Sequence, residues 1–274
     1  MINILFGGNY KVYDGILLCL LSMTKHCHEP IRIYILTADV TELNENYKPL
    51  TELHRKSLER VVKNVNPNSS VNLITLGKEF NDWILKSQNK LNVYTPFAFL
   101  RLFADRVEHL PKKIIYLDTD IMLNGNIKHL FDVDISNYEL GVVLDRYGRI
   151  FISPKYFNSG MLLLNMEKIK ETNLFDKVKE MCLNKKMGFP DQSALNKCAT
   201  KKLYLPRKFN EQGNLKKNTI IQHFSKRIKW WPIFHTQNFK PWQIELVHEK
   251  YKWHQYDDVY KEYLAMKGEN NGSN

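Results

Sequence analysis

The sequence predicts an α/β protein built on one mostly parallel sheet, and three features carry that expectation. Short apolar segments of strand character alternate with longer helical ones, an order that gives a parallel sheet with helices on its faces. The chain opens on such a strand, Ile2 to Phe6, which runs straight into Gly7-Gly8. A later strand, Ile114 to Leu117, runs straight into Asp118 and Asp120. Open α/β sheets bind their ligands at the carboxyl edge of the strands, so both breaks mark candidate binding points.

A chain of 274 residues can bury one large core, or one core with a small appendage. Its 43% hydrophobic and 25% charged residues are those of a soluble globular protein. The longest apolar run, Gly15 to Met23, falls well short of the ~20 residues a bilayer span needs. No signal peptide is expected, because the chain opens directly on a strand. Cys19, Cys27, Cys182 and Cys198 lack metal or disulfide-framework spacing and read as reduced thiols of a cytoplasmic protein. The net charge of +11 favours anionic partners, although lysines spread along the chain also suit a plain solvated surface. No nucleic-acid module is recognisable, so nucleic acid is not an expected partner. Without repeats or a composition shift, residues 1–225 read as one catalytic domain. Residues 226–267 read as a lid or cap on that domain, and 268–274 as a disordered polar tail.

Taken in order, Ile2 to Phe6 is a buried strand and Gly7-Gly8-Asn9-Tyr10 a tight turn whose glycines admit close approach of a ligand. Gly15 to Met23 is an apolar helix, and Ile31 to Leu36 a second strand ending at Thr37-Ala38-Asp39. Thr41 to Asn64 has helical periodicity with a break near Pro49, and Val71 to Leu76 is a third strand. Tyr94-Thr95-Pro96 starts a helix, with Thr95 as cap and Pro96 at the first position; it carries Arg101 and ends near Val107. Beyond the two acids, Ile121-Met122-Leu123 is stopped by Asn124-Gly125. Glu139 to Leu144 is a strand ending in Asp145. Phe157-Asn158-Ser159-Gly160 has the composition of a type I turn leading into a strand that reaches Asn165. Glu167 to Leu183 is an amphipathic helix, and Asp191 the expected N-cap of a short one through Asn196. Ile220 to Phe224 reads as the last core strand, ending on His223. Trp230 to Tyr263 is rich in aromatics and lysine, which suits a membrane-surface segment or a helical cap; Asp257, Asp258 and Glu262 favour the cap.

Chemistry concentrates at Asp118 and Asp120. Two hard oxygen donors converging at a strand end make half a divalent-metal site, suited to Mg²⁺ or Mn²⁺. An isolated Asp-x-Asp is as readily a surface turn, and the apolar strand before it is what favours the site. His223 suits either a third ligand beside two carboxylates or a structural histidine at a strand end.

The stretch Tyr116-Leu117-Asp118-Thr119-Asp120-Ile121-Met122-Leu123-Asn124-Gly125, followed by Leu130-Phe131, closely resembles the metal-binding region of family 8 glycosyltransferases. These are retaining, nucleotide-sugar-dependent enzymes that include bacterial lipopolysaccharide galactosyl- and glucosyltransferases and glycogenin. The resemblance runs from Asn3 to Trp242, with the Asn9-Tyr10 turn, the Arg101 helix, Asp118-Thr119-Asp120, Phe157-Asn158-Ser159-Gly160, Asp191-Gln192 and His223 in the family's order. It implies a single Rossmann-like domain of the GT-A type with an aromatic, basic helical cap. It also implies Mn²⁺ or Mg²⁺ on Asp118, Asp120 and His223, with Asp191 and Gln192 beside the reacting sugar carbon. A UDP-sugar donor, galactose or glucose above all, would lie on Gly7, Asn9, Tyr10, Arg101, Asp118, Thr119, Asp120, Asp145 and Asn158. Either Lys229 or Lys240 would neutralise the diphosphate, and the acceptor would be a glycan or glycolipid, with peripheral contact at an anionic inner membrane face.

The chain departs from the family at two places. Gly7-Gly8 replaces the usual acidic residues before Asn9, and Lys226 stands where glycine is usual after His223. The backbone at Lys226 is therefore expected to take another course, with the residues up to Lys240-Pro241-Trp242 folded over the donor. Two other classes fit the residues by themselves. A nucleotidyltransferase also uses a metal on paired carboxylates, and a basic binding module would need Asp118 and Asp120 only as turn residues.

Overall fold

The structure, a computed structural model, describes residues 1–90, 95–229 and 235–271. Tyr94, Trp230 and Trp231 lie outside the described residues, as does the side chain of Lys229. Strand β1 (Ile2–Gly7) leads through a 3-10 turn (Tyr10–Val12) into α1 (Tyr13–Thr24), then β2 (Ile31–Ala38), α2 (Glu52–Val65), β3 (Ser70–Leu76) and α3 (Lys78–Lys86). A 3-10 helix, Pro96–Arg106, precedes β4 (Lys113–Leu117), β5 (Ile121–Leu123) and α4 (Lys128–Phe131). There follow β6 (Leu140–Leu144), α5 (Gly148–Phe151), β7 (Phe157–Asn165), α6 (Met166–Glu171), α7 (Leu174–Asn184), α8 (Pro190–Cys198) and β8 (Lys202–Tyr204). The chain closes with a 3-10 turn (Arg207–Phe209), β9 (Ile221–His223), β10 (Arg227–Lys229), β11 (His235–Gln237), α9 (Ile244–Leu246), a π turn (Val247–Tyr251) and α10 (Asp257–Asn271).

The central sheet has seven strands in the order β3-β2-β1-β4-β7-β6-β8. Its pairings are parallel except those of β7, which runs against both β4 and β6. Strands covered on both faces need near-continuous apolar sequence, which β1, β2 and β4 supply. One face packs on α1, α2 and the aromatic side of α10; the other packs on α3, the Pro96–Arg106 helix and α6 to α8. Helix α1 is buried from Gly15 to Thr24, so it is apolar all round instead of amphipathic. Among the described residues no helix is long and apolar enough to cross a membrane, and all four cysteines are unpaired.

Several expectations change. Only Glu52–Val65 of the expected helix after Thr41 is helical. Ahead of it, Asp39 and Asn44 side chains accept from the backbone of Thr41 and Asn46, which favours turns over helix. The helix expected from Glu167 splits into α6 and α7, because Asn173 takes a left-handed conformation at φ 53°. Phe157 to Gly160 is strand, not a turn. Asp191 is not an N-cap: Phe189 holds that position, Pro190 takes the first turn with its preset φ, and Asp191 is buried just inside. The strand ending at His223 lies outside the central sheet and pairs with β5 in a separate two-stranded ribbon. After His223 the chain passes Lys226 without a positive φ and enters the β10–β11 hairpin. Helix α10 continues through Asn271, so the expected tail begins as helix.

Candidate active site

The site forms where β4 ends. The Asp118 amide still donates to the Gly160 carbonyl at 2.7 Å, extending the β4–β7 ladder by one rung. The chain then leaves the sheet as β5, whose edge needs a partner, and β9 supplies it. Ile121 pairs with His223, and the Phe224 amide donates to the Asp120 carbonyl at 2.9 Å. Ser22 of α1 accepts from the Leu123 amide at 3.0 Å and fixes the ribbon from behind. A residue more than a hundred positions downstream is thereby delivered to the two acids.

His223 Nε2 lies 3.1 Å from Asp120 Oδ1 and 3.9 Å from Asp118 Oδ2. One donor atom from each of the three residues lies within 4.8 Å of the others. The other ring nitrogen, Nδ1, faces Asn210 Oδ1 at 3.1 Å. Asn210 in turn donates through Nδ2 to Asn158 Oδ1 at 3.0 Å, which fixes its amide orientation and makes His223 Nδ1 the donor. Nε2 is then the nitrogen turned to the carboxylates, the arrangement metal-ligating histidines take.

Gly160 provides the clearest sign of a cradle. A Cβ there would come 2.2 Å from His223 Cε1 and 2.8 Å from Asp118 Oδ2. Only glycine lets both ligand side chains lie this close to the β7 backbone. Two carboxylates and one imidazole suit a hard to borderline divalent cation such as Mn²⁺ or Mg²⁺, so the residues present fit the expected ion.

Positive charge surrounds the acids. Lys240 Nζ donates to Asp120 Oδ2 at 2.6 Å. Burial disfavours charge on Asp120, but Lys240 and His223 more than offset it and hold the carboxyl well below its usual range. Burial likewise opposes the charged forms of His223 and Lys240, and Asp120 outweighs it, raising both. Arg101 is buried and lies 3.9 Å over the Tyr116 ring. Its guanidinium donates to the Ser159 carbonyl at 2.5 Å and Asp118 Oδ1 at 3.0 Å, and lies 3.5 Å from Asp191 Oδ2. Arg101 thus joins the first acid to Asp191. Burial pushes the Asp191 carboxyl above the usual carboxylate range; Arg101 opposes this and Asp118 adds to it.

Asn158 connects the remaining candidates. Its Nδ2 donates to Asp145 Oδ2 at 3.0 Å and Gln192 Oε1 at 3.3 Å, and its Oδ1 accepts from the Gly160 amide at 2.9 Å. Asp145 is committed to the protein, since its Oδ1 accepts from the amides of Tyr147 and Gly148 at 3.0 and 2.6 Å. Gln192 Oε1 accepts from the Ser159 amide at 3.0 Å. β7 can serve all these partners because its pairing with β6 shifts between Val142 and Val143, freeing Ser159 and Gly160 from that ladder.

The first turn stands apart from this network. Asn9 donates to the Asn46 carbonyl at 3.4 Å, and the Tyr10 amide donates to the Lys48 carbonyl at 3.3 Å. Gly7 packs against Leu100, and a Cβ on Gly8 would strike Val12 at 2.3 Å, so these glycines serve close packing. The Thr119 carbonyl and the Trp242 ring both press on α1 at Gly15, where a Cβ would meet them at 2.2 and 2.8 Å. Of the two candidate lysines, the structure brings Lys240 to the acids. The sequence reading gave no role to Tyr116, whose hydroxyl donates to Asp118 Oδ1 at 2.8 Å, or to Asn210. Tyr116 was signalled by its place on β4 two residues before Asp118; Asn210 ends the stretch Leu203 to Asn210, which is similar to a family block, but nothing in the sequence attached a role to it.

This fold and this acidic centre define a glycosyltransferase of the GT-A type. The solved structure of the galactosyltransferase LgtC with donor and acceptor sugar analogs superposes with a TM-score of 0.66, at 16% identity, over 94% of this chain and 95% of that one. The chain belongs to glycosyl transferase family 8, which its residues 3–245 match. It is 30% identical over 196 residues to the glycosyltransferase GlyA of Streptococcus pneumoniae serotype 4, covering 70% of this chain and 25% of GlyA. It is 27% identical over 183 residues to the lipopolysaccharide 1,2-glucosyltransferase of Escherichia coli K12, covering 59% of this chain and 54% of that protein. The matched stretch is therefore a quarter to about half the length of these two relatives. Membership makes the chain a glycosyltransferase. It sets aside the nucleotidyltransferase and the non-catalytic binding module.

Proposed function

We propose that the protein is a retaining hexosyltransferase that takes galactose or glucose from a UDP-sugar, with Mn²⁺ or Mg²⁺ held by Asp118, Asp120 and His223. The observation that carries this reading is the convergence of Asp118, Asp120 and His223 at the end of β4, in a chain of family 8. When bound, a divalent ion supplies positive charge against the leaving diphosphate. Lys240, which donates to Asp120 Oδ2, would supply a second positive charge to the same diphosphate. Asp191 and Gln192 line the face of the sugar at its anomeric carbon. Asp191, braced by Arg101 and by Ser159 Oγ at 3.3 Å, acts there as a fixed electrostatic partner of the developing cation. Retention is what membership in family 8 implies. Starting from an α-linked UDP-hexose, NMR of the newly formed bond should show an α linkage, and a β linkage would contradict a retaining mechanism.

The acceptor in this reading is a glycolipid presented at an anionic membrane face. Its support is the loop after Asp145, where Ile150, Phe151 and Ile152 are 66, 61 and 56% exposed beside exposed Arg149 and Lys155. Apolar side chains flanked by cations suit shallow insertion into anionic lipid. The protein should co-float with vesicles containing phosphatidylglycerol, and Ile150→Glu/Ile152→Glu should lower the bound fraction severalfold. Equal flotation of the two proteins would remove this loop from the membrane reading.

A further inference from the structure

The π turn Val247–Tyr251 and the first residue of α10 bring three ligating side chains together on the C-terminal cap, well apart in sequence from the acidic centre. The Asp257 carboxylate lies between two imidazoles, with Oδ1 2.7 Å from His248 Nε2 and Oδ2 3.4 Å from His254 Nδ1. The two rings stack, with centroids 4.6 Å apart and 25° between their planes. One donor atom from each residue lies within 4.8 Å of the other two. We propose that His248, His254 and Asp257 form a second divalent-metal site, of the zinc class.

The two imidazoles and the carboxylate face one another within ligating reach. One cation between them uses both nitrogen lone pairs and the carboxylate at once. Two nitrogens and one carboxylate, with a fourth position open to water at the surface, match the tetrahedral preference of Zn²⁺; Mg²⁺ and Ca²⁺ prefer oxygen alone. The backbone already holds the ligands in place. Lys252 turns the chain at φ 56° without a glycine, and a buried ring, Tyr260, meets the His248 ring edge-on at 5.8 Å. Single π turns are frequent at functional sites. The tie has a structural purpose as well. Between its ends lie Tyr251, Trp253 and Tyr256, whose rings surround Phe224, the residue after His223. An ion linking His248 to Asp257 fastens that aromatic patch.

Zinc also suits the acidic centre, so the test is made on the full chain carrying Asp118→Asn/Asp120→Asn, with ZnCl2 as the probe. One equivalent should bind, and about a hundredfold excess of Zn²⁺ over its dissociation constant should raise the Tm by roughly 5–10 °C. Adding His254→Gln, at a side chain 63% exposed and so harmless to folding, should abolish both effects. The unmodified chain provides a parallel titration that does not depend on the double variant folding. It should take up two equivalents of Zn²⁺, falling to one with His254→Gln. Zinc stoichiometry and Tm shift that are unchanged by His254→Gln, or a single equivalent in both chains, overturn the proposal.

Discussion

Asp120→Ala is expected to lower metal-dependent turnover by about three orders of magnitude or more while leaving the protein folded, since removing one major electrostatic contact to a developing charge costs roughly 10²–10³ and loss of the ion removes further stabilisation. Asp120 touches both His223 and Lys240, so its loss removes a candidate ligand and unties two neighbouring groups. The fold should survive because β5 is paired through its backbone to β9 and not through this carboxylate. His223→Ala should cost less, because two carboxylates remain. Asn210→Ala should cost less again, at about 10–100-fold in metal affinity, because it acts only by orienting the imidazole. Steady-state rates across a Mn²⁺ titration check the series. Near-native activity and metal affinity in Asp120→Ala would mean that the ion sits elsewhere.

The largest effect on stability is expected from Arg101→Met. Removing one partner from a buried ion pair costs about 3–5 kcal/mol, because the remaining charge stays buried and uncompensated. For a chain of this size that lowers the Tm by on the order of 10 °C. The variant should also acquire a characteristic pH dependence. Burial and Asp118 already hold the Asp191 carboxyl above its ordinary range, and losing Arg101 removes the positive charge that opposes them. A folded-state carboxyl above its unfolded value binds more protons folded than unfolded in the window between the two. Stability therefore falls as pH rises through that window and recovers as pH falls below it. Thermal melts of both proteins from about pH 4 to 8 should show the deficit of Arg101→Met widening with pH, in the range where Asp191 titrates. A deficit that is flat with pH would show that lost packing on Tyr116 matters more than lost charge.

Arg101 also shows what could be read from sequence and what could not. Its position before the acids was legible, yet a helical arginine looks like surface charge until the Pro96–Arg106 helix is seen packed against β4 and β7. The parallel core was legible because β1, β2 and β4 are short apolar runs, a pattern that only covering on both faces explains. The acids were legible because a buried strand stops at them. The β5–β9 ribbon was not, since three-residue strands carry too little periodicity to pair across about a hundred residues. Asp191 looked like an ordinary cap for the same local reason: with Pro190 as its first residue the helix starts two positions earlier, and a capping acid becomes a buried one. The place of Lys240 beside Asp120 was not legible, because it depends on where the chain returns after the β10–β11 hairpin.

Metal-dependent transfer from a UDP-hexose is tested most directly by UDP release from a panel of UDP-sugars without any acceptor. Water serves as a poor acceptor in that assay, so the unknown natural acceptor is not needed. The prediction is slow UDP release from UDP-galactose or UDP-glucose with Mn²⁺ or Mg²⁺, abolished by chelator, restored by adding the ion back, and absent from Asp118→Asn. No UDP released from any hexose donor in the presence of either ion, or equal release from Asp118→Asn, would contradict it.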